Sequence, residues 1–427
     1  MPKIQIRRDT AENWKTNNPT LLQGELALET DERKMKIGDG TTDYNNLSYT
    51  NIADEWQKPA DWIDLRSGAV DNSIYFLVGH SADYTTYPEF NFTATISNSG
   101  TYDIYIDGVK YATANSEAAT SLMWKTLALT SGFDVTYPAA LRTHVIRVTP
   151  SLSTNTITKI QTTLDKNKGV MWAHFNIDNA INIYELFNTG DNNSASKNTP
   201  ILEAVTAKNN ELKISSGLRG SFHYASALVE LPKFTSTSGV GINCYRAFRN
   251  CTLLGKVALK DISFSNSNSM FMNCPALKEV ITENTTMRID PYTFSGTTNL
   301  KKLPDNTLFA DSAYIAITNN KSLADTFIDV SPTTGMTKLG VYSTSASNAS
   351  TGIKGITVSS SAPFTGSSPQ IDIRYTGLDR GALLAFFNSL PTVTDSQVCD
   401  ITGVTGAADL TAADLAVATG KGWTVTR

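Results

Sequence analysis

Apolar residues recur along this chain at two periods, and the change of period divides it. Up to about residue 190 the period is two. Ile4 and Ile6 alternate with polar neighbours, as do Leu26 and Leu28, which predicts half-buried strands. Thr30-Asp31-Glu32-Arg33 predicts a turn before Lys34-Met35-Lys36-Ile37. Gly38-Asp39-Gly40 predicts a second reversal, because glycine tolerates positive φ. A phosphate cradle at those glycines would need a helix start after them, and none follows. Residues 1–55 therefore read as a short β-meander with few large apolar residues. So small a block buries little of its surface and gains stability from a partner. Association with copies of itself is the expectation.

Residues 60–190 carry further alternating runs with polar connectors. The clearest is Thr101–Tyr111, where Asp107-Gly108 between two runs signals a two-residue hairpin. Strands are also predicted at Ser73–Val78, Phe90–Ile96, His144–Val148 and Val170–Phe175. Several strands with turn signals between them imply a sandwich or barrel, and a β-sandwich is the expectation. Trp62, Trp124 and Trp172 are assigned to its core or its flank in preference to an exposed sugar platform. The polar stretch 188–200 reads as a linker.

Beyond Ile201 the phenylalanines Phe248, Phe271 and Phe294 step by 23 residues. Leu254, Leu277 and Leu300 keep the same step, and so do Val257, Val280 and Leu303. An earlier copy with a short insertion has Phe222, Leu228 and Leu231. A later, weaker one has Ile317 and Leu323, and Leu202 and Val205 begin the array. A period of about 20–29 with this apolar spacing predicts a leucine-rich-repeat solenoid over 200–427, whose stacked coils share one core. Asn250 and Asn273 are expected to cap backbone groups at the bends. Cys251 and Cys274 should stack in adjacent coils as small apolar residues. The array weakens after Val330. Ser-rich loops follow at 343–350 and 359–368, with strand-like runs at 355–358 and 370–375. Leu378–Pro391 has helical spacing stopped by proline. Thr411–Gly420 has a Thr N-cap, an acid three residues on and a glycine stop. With the strand at 422–426, these short helices would close the apolar end of the solenoid.

The whole is thus multidomain and mainly β, in keeping with a length of 427 residues at about 150 per domain. Charged residues make up only 18%, and Ser, Thr and Asn fill the difference. A net charge of −4 gives no support to a nucleic-acid partner. No apolar run of about 18 residues suggests membrane insertion, and the N-terminus lacks a basic-then-apolar leader. Cys244, Cys251, Cys274 and Cys399, with the scattered His80, His144, His174 and His223, match neither zinc-ligand spacing nor a dense disulfide framework. They read as free, buried thiols. No G-x-S-x-G, H-E-x-x-H or P-loop occurs, and Gly239-Val240-Gly241 lacks a third glycine. Carboxylate pairs of a glycosidase cannot be assigned among 40 scattered acids. No catalytic, cofactor-binding or metal-binding residue is named, and binding without catalysis is the expectation. Tyr245, Arg246, Arg249, Tyr292 and Tyr314 flank the ladder positions and are the candidate receptor-contacting residues.

Two stretches resemble known families. Ile4-Gln5-Ile6-Arg7-Arg8, Gly24-Glu25-Leu26-Ala27-Leu28-Glu29-Thr30-Asp31, and Lys36-Ile37-Gly38-Asp39-Gly40-Thr41-Thr42 followed by Tyr44-Asn45-Asn46-Leu47 resemble the N-terminal module of bacteriophage tail fibres and receptor-binding proteins of the major-tropism-determinant type. The likeness covers the first eighth of the chain. Phe-x-Asn-Cys-x-x-Leu-x-x-Val resembles the BspA-like leucine-rich repeats of bacterial surface proteins, and so does the tail of the array. These resemblances imply a homotrimer in the virion, extracellular after host lysis. Its N-terminal module would attach to a tail or baseplate protein. Its repeats would adhere to a glycan or protein receptor on the host. The alternative in this context is a tail-associated depolymerase that cleaves a surface polysaccharide.

Overall fold

A computed structural model describes residues 7–30, 35–47, 49–50, 58–81, 85, 89–131, 142–161, 169–184, 186–187, 201–236, 239–310, 313–314, 316–330, 336–359 and 364–427. The predicted Ile4/Ile6 alternation, the turn at 31–33 and the polar stretch 188–200 lie outside the described residues. The chain forms two compact units, Met1–Trp62 and Ile63–Arg427.

In the first unit, strands Arg7–Asp9, Leu26–Glu29, Met35–Ile37 and Tyr49–Thr50 form one sheet in chain order. The first pair is parallel and the other two are antiparallel. A parallel pair needs a crossover, and the helix Ala11–Asn17 lies within it. The expected simple meander is corrected here. With Trp14 as its one buried residue, this helix has no apolar period to betray it. Its ends are fixed by Thr10, which accepts from Asn13 N, and by Asn18 at φ +38°.

The alternation at Leu26 and Leu28 does mark a strand, but with its faces inverted. Ala27 and Glu29 are buried, while Leu26 and Leu28 are half-exposed. Trp14 and Tyr44 stack with centroids 5.0 Å apart on the inner side, which leaves room only for a small residue such as Ala27. Buried Glu29 accepts from Tyr44 Oη at 2.7 Å. Buried Lys36 donates to Tyr44 O at 2.7 Å and lies 4.4 Å from its ring centroid. Burial lowers the pKa of Lys36, against the pull of Glu29 and Asp43. On the outer face, Leu26 pairs with Ile37 and Leu28 with Met35. The Gly38–Gly40 turn closes for two reasons. A Cβ on Gly38 would sit 2.2 Å from Leu22 O, and Gly40 has φ +82°. The Asp39 carboxylate accepts from the backbone and hydroxyl groups of Thr41 and Thr42. These bonds hold it well below the usual carboxylate range.

The second unit opens with two sheets. One has the order Ala204–Ala207, Val170–Asn176, Ser73–His80, Arg142–Pro150, Thr101–Ile106, Val109–Asn115. The other has Asn182–Tyr184, Ile157–Gln161, Glu89–Ile96, Ala119–Met123. Phe76, Ile104, Ile146 and Phe175 from the first share a core with Phe90, Phe92, Leu122 and Ile160 from the second. Asp107 and Gly108 have φ +49° and +83°, as a type I′ hairpin requires. Trp124 joins this core. Trp172 is also buried, but its Nε1 donates to Thr206 Oγ1 at 2.8 Å and its ring lies 5.4 Å from Arg66 Cζ. Trp62 is half-buried.

The remainder is a β-solenoid. Among the described residues of 201–427, every strand pairing is parallel. The coils stack directly on the two sheets. Ala204–Ala207 pairs with Val170–Asn176 while Val205 N donates to Glu230 O, and Phe187 N donates to Ser221 O. One apolar core consequently runs from Ile74 to Trp423.

The repeat sets that core. Phe187, Phe222, Phe248, Phe271 and Phe294 form a stacked column with successive centroids 5.5, 5.3, 5.5 and 5.4 Å apart. Ile317 pairs with Phe294, and Val341 with Ile317, extending it. Leu228, Leu254, Leu277, Leu300 and Leu323 form a second buried column. Asn250 and Asn273 stand at φ +63° and +58°, a region asparagine tolerates. Asn273 Nδ2 donates to Asn250 Oδ1 at 3.0 Å. Cys251 Sγ and Cys274 Sγ donate to Phe222 O and Phe248 O at 3.0 and 2.9 Å. Beyond Val330 coils continue with a stretched step. Leu339–Tyr342, Ile371–Asp372, Gln397–Asp400 and Trp423–Thr426 are successive rungs of one sheet.

Both predicted helices form, as Arg380–Ser389 and Ala412–Thr419. Asp379 caps the first, and Thr411 with Asp414 makes a capping box on the second. Asp414 also accepts from Arg380 Nε and Nη2 at 2.8 and 2.9 Å. Lys421 Nζ donates to the carbonyls of Phe387, Asn388 and Leu390 at 3.2, 2.6 and 2.8 Å. A cation there offsets the negative end of the helix dipole. Among the described residues no helix is long and apolar enough to cross a membrane.

Candidate functional site

Because the coils are in register, side chains at equal offsets from the phenylalanine column line up. Three positions before it stand Arg219, Tyr245, Asn268, Pro291 and Tyr314. Two positions before it stand Gly220, Arg246, Ser269 and Tyr292, and one after it His223, Arg249, Met272 and Ser295. Backbone hydrogen bonds from Gly220 to Tyr245, Arg246 to Asn268 and Tyr224 to Arg249 tie these offsets between coils. All five sequence-predicted residues therefore fall on the turns that flank one column.

They form two groups. In the first, Arg246 Cζ is 4.7 Å and Arg219 Cζ is 5.5 Å from the Tyr245 ring centroid. Half-buried Arg249 has a buried Nε with no hydrogen-bond partner. Burial lowers its pKa, and Arg246 adds to the effect. Beside them lies His223, 2% exposed, with its ring centroid 4.4 Å from that of Tyr224. Burial, then the charges of Arg249 and Arg246, push its pKa down to about 3. In the second group, Tyr292 and Tyr314 pack edge to face at 5.4 Å. Burial raises the pKa of Tyr292, and Tyr314 and Tyr342 add to the shift. The sequence reading missed Arg219, His223 and Tyr224. Aligning whole coils on the phenylalanines, instead of the apolar columns alone, would have found them.

Two other cation-bearing surfaces are neutralised. Arg374 lies over Tyr342 at 5.0 Å but is forked by Asp372 at 2.9 and 2.7 Å. On the Lys256–Lys260 side, Lys260 meets Glu283 at 2.8 Å, and Lys233 lies 3.8 and 3.7 Å from Glu211 and Glu283. A groove of about 230 Å³ between the outer strands and the first helix is lined by Phe327, Gly355, Ala382 and Ala385. All four cysteines are free and buried. Burial pushes the Cys274 thiol up to about 12. No group of three or more His, Cys, Asp or Glu among the described residues is placed to hold a metal.

Residues 4–42 match the family described as the major tropism determinant N-terminal domain. That match supports a phage tail or receptor-binding protein. No curated protein and no solved structure matches the chain.

Proposed function

We propose that this protein is a phage tail fibre or receptor-binding protein that attaches the virion to the bacterial host. The observation that carries the reading is the tropism-determinant match over residues 4–42. The N-terminal module docks on a tail or baseplate protein and associates as a homotrimer. The half-exposed Leu26, Leu28 and Met35 and the 41%-exposed Ile37 favour this, since they give a small module an apolar outer face. Exposed apolar patches mark association surfaces. The two sheets that follow are a β-sandwich spacer. The solenoid is of the BspA-like leucine-rich-repeat type and presents Tyr245, Arg246, Arg249, Tyr292 and Tyr314 to the receptor. Repeat arrays suit this role, because turn residues vary without disturbing the stacked core. The protein binds its target and does not cleave it.

Antibodies against the full chain should decorate phage particles from the strain that encodes it. Pre-incubating cells with the pure protein should block adsorption of those particles. Unlabelled particles, or adsorption unaffected by excess protein, would refute the assignment. Release of reducing ends from host capsule would replace it with the depolymerase reading.

A further inference from the structure

We propose that the outer face of the larger of the two sheets, around Arg147, binds a carboxylate-bearing saccharide. This goes beyond the receptor-binding reading, in which the two sheets are a spacer.

The strand Arg142–Pro150 turns Ile146 and Val148 into the core and leaves Val145, Arg147 and Thr149 half-buried on the other face. Part of that face is covered by the segment before the first strand of the sheet. Val70 N donates to Tyr75 Oη at 2.7 Å, Asn176 Nδ2 donates to Ala69 O at 3.2 Å, and Arg66 lies over Trp172. Arg147 is the strand partner of Tyr75 and so stands at the edge of this cover.

Unmet hydrogen bonding carries the argument. Arg147 Cζ lies 3.7 Å from the ring centroid of Tyr105, its partner on the other neighbouring strand. Among the described residues its guanidinium has neither a hydrogen bond nor an ion pair, and its buried Nε is unpartnered. Three other guanidinium groups stacked on rings each hold a carboxylate. Arg7 holds Glu25 at 2.9 Å, Arg66 holds Asp64 at 2.9 Å, and Arg374 holds Asp372 at 2.7 Å. Of these four, Arg147 alone has its ring without a carboxylate. The two acids that flank Tyr105 on its strand are engaged elsewhere. Asp103 pairs with Lys110 at 2.9 Å and accepts from Thr113 and Ser151. Asp107 is hydrogen-bonded to His144 Nδ1 and accepts from Val145 N. A half-buried cation without a partner carries an uncompensated desolvation cost, and an incoming oxyanion removes it.

The oxyanion is a carboxylate. Of the Arg147 nitrogens only Nε is cut off from solvent, so a ligand meets the planar guanidinium end-on at Nη1 and Nη2. Two carboxylate oxygens fit that fork. A phosphate-rich polymer calls for further free cations, and Lys110 is already paired. The carrier is a saccharide. The strand Arg142–Pro150 is paired on both edges, to Ser73–His80 and Thr101–Ile106. Its backbone groups are used within the sheet, so a peptide cannot add there as a strand, and recognition falls to side chains. Val145 and Thr149 flank Arg147 on its face. They offer an apolar surface to sugar C–H groups and a hydroxyl to sugar hydroxyls.

Calorimetry on the full chain would use polygalacturonate, hyaluronate and polysialate, with polyglutamate, a glycerol-phosphate polymer and neutral dextran as comparisons. The wild type should bind at least one of the first three, more weakly as salt rises. It should bind each comparison polymer about tenfold more weakly or worse. Arg147→Met keeps an apolar stem over Tyr105 and removes the fork. It should lose about tenfold or more in affinity and melt no lower than the wild type, since no bond is broken. Arg147→Lys keeps the charge without the fork and should lose nearly as much. Lys278→Gln, an equal change of charge at an exposed position of the solenoid, should bind as the wild type does. Binding of none of the three acidic polysaccharides would overturn the assignment. So would equal binding of any comparison polymer, or a folded Arg147→Met protein with full affinity. Blocking of particle adsorption separates the two readings. A wild type that blocks adsorption but binds no acidic polysaccharide removes this site and leaves the receptor-binding reading. A wild type that binds one and blocks nothing supports this site and removes that reading.

Discussion

At the scale of single residues, His174 and His223 contribute to the response to pH. Burial, with the charge of Arg66 adding and that of Asp64 opposing, pushes His174 down to about 4. His223 is pushed down to about 3. Below pH about 6.5 the unfolded chain protonates both rings, while the folded chain leaves them neutral. Their contribution is therefore complete above pH 6.5. It is lost on acidification at about 1.4 kcal/mol per pH unit for each histidine, levelling below about 4 for His174 and about 3 for His223. Urea midpoints at pH 7 and pH 5 should differ less in a His174→Gln/His223→Gln variant than in the wild type. An equal difference would exclude these two histidines as the cause. The thiols give a second test. Cys244, Cys251, Cys274 and Cys399 should resist a thiol reagent in the native protein and react on unfolding, because burial raises every one of their pKa values. Little of this was legible beforehand. The spacing of Asn250 and Asn273 pointed to the bends, but their reason is a positive φ and an amide column. Buried Glu29 and Lys36 were hidden, because an alternating strand reads the same whichever face turns inward.

At the scale of elements, legibility followed regularity. Where the step is constant, from Phe248 to Phe294, the sequence alone located coils and apolar columns. Phe187 was missed because a long polar insertion separates it from Phe222, and Leu339–Tyr342 and Gln397–Asp400 because loops stretch the step beyond Val330. The strand-like runs at 355–358, 370–375 and 422–426, by contrast, coincide with Ile353–Val358, Ile371–Asp372 and Trp423–Thr426. The same column predicts energetics. Phe271 stacks between Phe248 and Phe294 at 5.5 and 5.4 Å and is fully buried. Phe271→Ala should cost about 3–5 kcal/mol, read from denaturant unfolding. At the bend, Asn273→Gly should cost under about 1 kcal/mol, since glycine keeps the left-handed φ at no strain. Asn273→Ala should cost about 1–2 kcal/mol. The reverse order would contradict the backbone explanation.

At the scale of the whole molecule, the proposed assembly as a homotrimer turns on the N-terminal module. Among the described residues its core is Trp14, Leu21, Ala27 and Tyr44, with Leu47 packed against it. A module of this size buries a small share of its surface and is marginal on its own. Yet its sheet turns Leu26, Leu28, Met35 and Ile37 outward, and Leu22 is 74% exposed. Apolar groups on the outside of a module favour the proposed contact with other copies. Light scattering on the full chain should accordingly give a mass near three times 46.3 kDa. Leu28→Glu combined with Ile37→Glu should return a monomer, because like charges would be buried in the contact without a partner. Both side chains lie on the outer face of the sheet, away from buried Ala27 and Lys36, so resistance of the module to limited proteolysis should be retained at low temperature. A wild-type monomer at micromolar concentration, or a double variant that stays trimeric, would exclude the outer sheet face as the assembly surface.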